Sequence, residues 1–330
     1  MDKKRKEIIE NNEVSSLYTF SLGGVSQKVL IEGKTKDLPI VLVLHGGPGS
    51  PIPFSVGCRG LFPEFTDKFI MVYWDQLGSG INDYNLSDKF DINSFVNMTI
   101  DLIKEVKAIF PTNPLILFGM SWGSVLTLKV VKQVPNLIDA VVTWGQVIKN
   151  LFFNEEVLWT LKKSNLPKKK YKKVEEILAK GPAEEGLQFL TGCIRKYTNG
   201  YQNREGESSP VGNIIKGLMT SPDYSLKNFK SIMINGTAKS KLLWKELLVM
   251  DLSGELATVD KPYVILQGDT DIVTNTSILQ QVVDKANNPK ISYKVVEKSG
   301  HIPGVEGMNA IWNSLSEVAY AKGNGRIYSE

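Results

Sequence analysis

Pro114-Leu-Ile-Leu-Phe-Gly-Met-Ser-Trp-Gly-Ser124 is the stretch on which the reading of this chain turns. Leu115 to Phe118 form a short continuous apolar run, which breaks at Gly119-Met120-Ser121-Trp122-Gly123 and passes into helical spacing. A G-x-S-x-G turn between a strand and a helix holds its serine in a strained conformation, with the hydroxyl above the carboxyl end of a sheet. The flanking glycines remove side chains where backbone passes close to backbone. Trp122, next after the serine, would offer its backbone N–H to a developing oxyanion at the first turn of the helix, whose dipole also favours negative charge. The same five residues also occur where a strand and a helix simply pack closely, so the remainder of the chain has to decide.

The chain has 330 residues, 42% hydrophobic and 22% charged, which is enough apolar material for a sizeable core. No apolar run approaches the ~18 residues of a membrane span. The charged start, Met1-Asp-Lys-Lys-Arg-Lys-Glu-Ile-Ile-Glu10, lacks the apolar region of a signal peptide. Cys58 and Cys193 lie far apart and suggest neither a disulfide framework nor a metal site. A cytoplasmic protein with no membrane association is therefore expected. Net charge is +4, too small to indicate nucleic acid. Residues 147–257 hold 18 Lys/Arg against 12 Asp/Glu, a net of +6 that leaves −2 for the rest. The run Lys168-Lys-Lys-Tyr-Lys-Lys173 reads as a solvated helix face.

Ahead of the serine, residues 16–33 alternate around Gly23-Gly24 and predict an antiparallel hairpin, Leu17–Leu22 against Val25–Ile31. Pro39–Leu44 and Phe69–Trp74 are apolar runs of the kind buried on both faces of a sheet. They end in His45-Gly-Gly-Pro-Gly49 and Asp75-Gln-Leu-Gly-Ser-Gly80. Phe95, Met98, Leu102, Val106 and Ile109 mark one stripe of a helix that Pro111 stops. A helix from Trp122 to Val134 and a strand from Ile138 to Trp144 follow. From Val147 to Ala257 the pattern is helical, charged and broken repeatedly by Gly and Pro. Strand–helix alternation then resumes with Tyr263–Gln267, a helix near Ser277–Lys285, Ile291–Val296 and a closing helix over Met308–Ala321. Gly323–Glu330 read as a frayed tail. Repeated strand–helix units predict an α/β fold, a mostly parallel sheet with helices on both faces.

A serine nucleophile needs a base, and the chain has two histidines. Only His301, in Lys298-Ser-Gly-His-Ile-Pro303, follows the serine, as the order Ser…Asp…His requires. The orienting acid belongs at the end of the preceding strand, where Gln267-Gly-Asp-Thr-Asp271 stands. Asp271 is the better candidate and Asp269 the alternative, since either residue also suits a loop-capping role. Such an acid fixes the imidazole tautomer and stabilises its protonated form.

His45-Gly-Gly-Pro-Gly49, Asp75-Gln-Leu-Gly-Ser-Gly80, Gly119-Met-Ser-Trp-Gly-Ser124 and the Gly-x-x-Asp271 and Gly-His301 endings together resemble the α/β-hydrolase superfamily, and within it the proline iminopeptidase-like branch. The likeness covers the segments on both sides of the helical stretch, about two thirds of the chain. It implies the α/β-hydrolase fold, with a catalytic core over 1–146 and 258–330 and a helical cap over 147–257, inserted above the strand ends. It further implies that Gly47 supplies a second oxyanion N–H beside that of Trp122, in a loop supported by His45 and Gly46. Two positions depart from the family pattern. Leu77 stands where an arginine is usual, and Met120 where glycine or histidine precedes the serine. The cap glutamates that bind a substrate's free amine in iminopeptidases have no recognisable counterpart, and helix-surface positions account for Glu155, Glu156 and Glu246.

The expectation is a serine hydrolase with no metal or cofactor, in which Ser121 attacks, His301 carries the proton and Asp271 orients it. The favoured activity is release of N-terminal residues from short peptides or amides. A carboxylesterase or amidase acting on small apolar substrates is the alternative, followed by a hydrolase-fold protein that binds a ligand without cleaving it.

Overall fold

The structure is a computed structural model, and it describes residues 1–86, 89–203, 211–235 and 240–320. The tail expected over 323–330 lies outside the described residues. The Gly23-Gly24 turn joins β1 (Val14–Leu22) to β2 (Val25–Gly33), paired antiparallel from Val14↔Gly33 to Leu22↔Val25. β3 (Ile40–Leu44), β4 (Ile70–Tyr73), β5 (Leu115–Met120), β6 (Ala140–Trp144) and β7 (Tyr263–Gly268) are buried at every position. Their continuous apolar runs follow from cover on both faces of the sheet. β8 (Ile291–Val296) alternates half-buried with exposed residues over most of its length, as an edge strand does. The strand order is β1-β2-β4-β3-β5-β6-β7-β8, antiparallel at the two β2 pairings and parallel elsewhere.

Before β6 the helices are α1 (Lys3–Asn11), α2 (Pro63–Thr66), α3 (Ile92–Ile109) and α4 (Trp122–Gln133). Between β6 and β7 lie α5 (Glu155–Lys163), α6 (Lys168–Lys180), α7 (Glu184–Tyr197), α8 (Val211–Met219), α9 (Leu226–Asn235), α10 (Lys241–Val249) and α11 (Ser253–Ala257). α12 (Thr276–Ala286) and α13 (Val305–Tyr320) complete the chain as described. Residue alternation in β5 assigns the two layers. Leu115 and Leu117 join the core containing Phe95 and Leu102 of α3 and Val125 and Leu128 of α4. Ile116 and Phe118 face the opposite core, with Ile311 and Leu315 of α13 and the aromatics Phe54, Phe62 and Phe65. Truncating any of these buried leucines to alanine would cost on the order of 2–5 kcal/mol.

The helical segment is also tied to the rest of the chain by polar side-chain contacts. Arg5 on α1 is buried and donates to the carbonyls of Gly217 (2.7 Å), Gly57 (2.9 Å) and Arg59 (2.7 Å). Arg59 grips Asp223 with two bonds of 2.8 and 2.7 Å. The Tyr224 hydroxyl donates to the buried Asp75 carboxylate. Glu246 on α10 accepts the N–H of Ile92, completing the cap of α3 that Asp91 and Ser94 begin. The lysine run 168–173 lies on α6 with all five lysines exposed. Both cysteines are free and buried. Among the described residues no helix is long and apolar enough to cross a membrane.

Candidate active site

Ser121 is the hinge between β5 and α4, with φ 51° and ψ −119°, a backbone conformation an L residue adopts only when its surroundings impose it. The constraints are visible. Its N–H donates to Trp144 O at 2.9 Å, and its carbonyl accepts from the Ser124 N–H at 2.8 Å and the Ser124 hydroxyl at 2.6 Å. The Ser124 hydroxyl in turn accepts from the Val147 N–H at 2.9 Å. At Gly123 the strand below passes so close that a β-carbon would overlap the Leu44 carbonyl. The requirement for glycine there is steric. Ser121 is buried, at 8% exposure.

His301 follows β8 on the loop to α13 and is 5% exposed. Its Nε2 lies 2.9 Å from Ser121 Oγ and its Nδ1 2.9 Å from Asp271 Oδ2. A carboxylate only accepts, so Nδ1 carries the hydrogen and Nε2 is left to accept from the serine hydroxyl. Asp271, 1% exposed, takes four further bonds. Oδ1 accepts from the N–H groups of Val273 (2.8 Å) and Thr274 (3.1 Å), and Oδ2 from the Thr274 hydroxyl (2.7 Å) and Gln267 Nε2 (3.1 Å). The donors leave the carboxylate a single orientation toward the imidazole. Asp269 has a different use. It accepts from the N–H groups of Lys298 (3.0 Å) and Ser299 (2.9 Å) and so fastens the loop that carries His301. Trp144 Nε1 donates to His301 O, and the carbonyls of Gly200 and Tyr201 accept the N–H groups of His301 and Ile302.

The loop after β3 forms the other wall. Gly46 lies against the elbow, where a β-carbon would stand 3.2 Å from Met120 O and 3.3 Å from the Ser121 Cβ. Gly47 has φ +114°, and a β-carbon there would meet Gly49 N at 2.5 Å, so only glycine permits this turn. Neither the Gly47 nor the Trp122 N–H has an acceptor among the described residues. His45 is 2% exposed and braces the turn. Its Nε2 accepts the Gln76 N–H at 2.9 Å, so its Nδ1–H donates to Gly46 O at 2.9 Å. Burial drives its pKa down to about 4, with the Gly46 carbonyl opposing, so the ring stays neutral near pH 7. Asp75, fully buried, is raised to about 6 by desolvation, against hydrogen bonds from Tyr224, Ile81 and Val56.

Leu77 and Met120, the two departures from the family pattern, are buried apolar residues, 3% and 4% exposed. Of the glutamates considered, Glu246 is spent on the cap of α3, and Glu156 accepts the Ser277 hydroxyl at 2.8 Å. Glu155 and Glu156 line a surface hollow of 780 Å³ between α5 and α12 that no triad residue lines. Sequence reading overlooked Gln76, Ser124, Thr274 and Tyr201. Gln76 and Ser124 lay inside quoted motifs, so a signal existed. Tyr201, whose ring centroid is 5.8 Å from that of His301, comes from the helical segment and carried none.

Residues 39–307 match the family model described as the alpha/beta hydrolase fold. The probable aminopeptidase YbaC of Bacillus subtilis (strain 168) is 26% identical over 319 residues, 94% of this chain and 98% of that one. A putative proline iminopeptidase of Mycoplasma genitalium is 24% identical over 277 residues, 79% and 84% of the two chains. The crystal structure of a proline iminopeptidase from Mycobacterium smegmatis superposes with a TM-score of 0.61 at 17% identity, covering 92% of this chain and 97% of that one. With the β5–Ser121–α4 elbow set in a sheet of this order, the chain belongs to the α/β-hydrolase family, and it is similar there to proteins named aminopeptidase and proline iminopeptidase.

Proposed function

We propose that this hydrolase is a serine aminopeptidase of proline iminopeptidase type, releasing the N-terminal residue of short peptides or amides through an acyl-enzyme. The observation that carries the reading is the unbroken chain Ser121 Oγ–His301 Nε2 and His301 Nδ1–Asp271 Oδ2, each link 2.9 Å. Ser121 Oγ adds to the substrate carbonyl carbon as its proton passes to His301 Nε2. The oxyanion is received by the free N–H groups of Gly47 and Trp122. His301 then gives its proton to the departing amine as the C–N bond breaks. Water attacks the ester that remains, losing a proton to His301, which returns it to Ser121 Oγ as the acyl C–Oγ bond breaks and the acid leaves. Throughout, Asp271 keeps the imidazole in one tautomer and offsets its positive charge. Residues 147–257 act as the cap, which sets the Tyr201 ring beside that of His301.

The peptidase preference draws support from the aminopeptidase-named Bacillus relative, which matches nearly end to end. A second reading, a carboxylesterase or amidase on small apolar substrates, draws on the engagement of Glu156 and Glu246 in contacts with Ser277 and Ile92. The two part on the substrate's amine, whose pKa lies near 8. Prolyl and alanyl naphthylamides should be cleaved, and their N-acetylated forms should not. Indifference to acetylation, with fast cleavage of a p-nitrophenyl ester, would assign the esterase. Labelling of wild type, but not of Ser121→Ala, by a fluorophosphonate tests the nucleophile apart from the substrate.

A further inference from the structure

Gln76 stands just beyond β4, 1% exposed, and touches neither Ser121 nor His301 in any hydrogen bond among the described residues. Its backbone carbonyl accepts the N–H and hydroxyl of Ser79, and three further bonds span the site. The backbone N–H donates to His45 Nε2 at 2.9 Å, and side-chain Nε2 donates to His45 O at 3.2 Å. Side-chain Oε1 accepts the indole N–H of Trp122 at 2.8 Å. The partners fix the amide's orientation, since an indole only donates and a carbonyl only accepts. One end of the carboxamide therefore holds the strand that leads into Gly46-Gly47, and the other end holds the residue after the nucleophile. These are the two backbone segments whose N–H groups lack acceptors. A gap between them that is too wide or too narrow would misplace both donors relative to one oxygen.

We infer that Gln76 is a positioning residue that sets the spacing of the Gly47 and Trp122 N–H groups, and so acts on the transition state and not on substrate binding. The inference rests on the serine-hydrolase reading of the site. No other standard side chain of this length, in its usual ionisation state at neutral pH, supplies both a donor and an acceptor in a plane. Methionine supplies neither. Ionised glutamate keeps the acceptor, loses the donor and brings negative charge toward the oxyanion. Protonated glutamic acid again has one donor and one acceptor, and so mimics the amide.

The test measures kcat and KM for a naphthylamide substrate, and the affinity of a substrate-like boronic acid that mimics the tetrahedral intermediate. Gln76→Met should lower kcat about 10- to 100-fold, within the range that sub-ångström misplacement and loss of an oxyanion donor produce. KM should stay within about twofold, and boronate affinity should fall in step with kcat/KM. Gln76→Glu should be impaired near pH 8 and recover relative to wild type as pH falls and the carboxyl group protonates. Recovery of that kind is not expected of a residue that merely fills space. A folded Gln76→Met with unchanged kcat overturns the inference, as does a loss confined to KM with boronate affinity intact. Unfolding of both variants assigns Gln76 to the fold and also overturns it. A wild-type protein that neither cleaves the substrate nor takes up a fluorophosphonate at Ser121 defeats the serine-hydrolase reading itself. Wild-type cleavage that is insensitive to Gln76 defeats only the positioning.

Discussion

His45 and His301 are both buried, both lie past the carboxyl ends of sheet strands, and they meet opposite surroundings. The pocket after β3 gives its imidazole a backbone N–H and, at 3.4 Å, the Ser79 hydroxyl on one nitrogen, and a carbonyl on the other. No carboxylate is bonded to this ring among the described residues, and burial, opposed by the Gly46 carbonyl, holds it neutral down to about pH 4. The pocket after β8 gives its imidazole a carboxylate on one nitrogen and a hydroxyl on the other. Such a ring can take a proton and be stabilised while holding it. Residue type and burial are matched in the two pockets, so the neighbours alone distinguish the brace from the histidine proposed as proton carrier.

The sharpest break in this comparison is deletion within the β8 pocket. Ser121→Ala and His301→Ala should each lower kcat by on the order of 10⁶ and leave the thermal transition nearly in place, since partners acting as one unit fail together. A tenth of the activity surviving in either would dissolve the contrast. Next in size is the carboxylate. Asp271→Asn should lower kcat by roughly 10⁴, because an amide can favour the wrong tautomer. Asp269→Asn removes one acceptor from the loop beneath His301, and should cost on the order of 1 kcal/mol of stability with little change in rate. Paired rate and melting measurements on the two variants separate orientation of the base from anchoring of its loop.

A smaller loss of rate than that of Asp271→Asn belongs to the β3 pocket. His45→Ala should reduce kcat by roughly 10²–10³ through a displaced oxyanion loop. Its stability signature has a definite sign. The folded pKa is depressed from 6.5 to about 4, so the unfolded chain takes up a proton first as pH falls. The stability His45 contributes is present above pH 6.5 and is lost as pH drops toward 4, at up to about 1.4 kcal/mol per pH unit. The gap in unfolding free energy between wild type and His45→Ala should therefore narrow over that window. A gap that stays constant would mean that the ring is protonated in the fold.

Much of the sheet was legible because its determinants are local. β3 and β5 are apolar runs between turn residues, and the Gly23-Gly24 turn lies between two alternating segments. α13 starts at Val305, three residues before the expected Met308, because Pro303-Gly304 ends the loop earlier than the apolar stripe suggested. α1 was missed altogether. Its nine residues, Lys3–Asn11, are mostly charged or polar, and its reason for being helical is Arg5, buried among carbonyls more than 50 residues away in sequence. At the site, motif spacing pointed to Ser121, His301 and the pair Asp269 and Asp271. Spacing could not separate those aspartates, since both precede the same helix. Only the three-dimensional donors do so, four of them beside His301 converging on Asp271 and two loop N–H groups on Asp269. Tyr201 depends on how the helical segment settles on the strands, which no local pattern encodes.

β6 and β7 are adjacent parallel strands, in register from Val141↔Tyr263 to Trp144↔Leu266, although the chain makes an excursion between them that holds seven helices among the described residues. Closing a longer loop costs little, about 0.6 kcal/mol for each doubling of its length. The strand pair therefore tolerates great variety in what is threaded through that gap. An excursion lengthened, shortened or replaced at this junction would leave the register of the sheet, and with it the seat of Ser121 beside Trp144, in place. On the proposed reading of the excursion as a cap, a laboratory graft here would exchange substrate range without disturbing the chemistry.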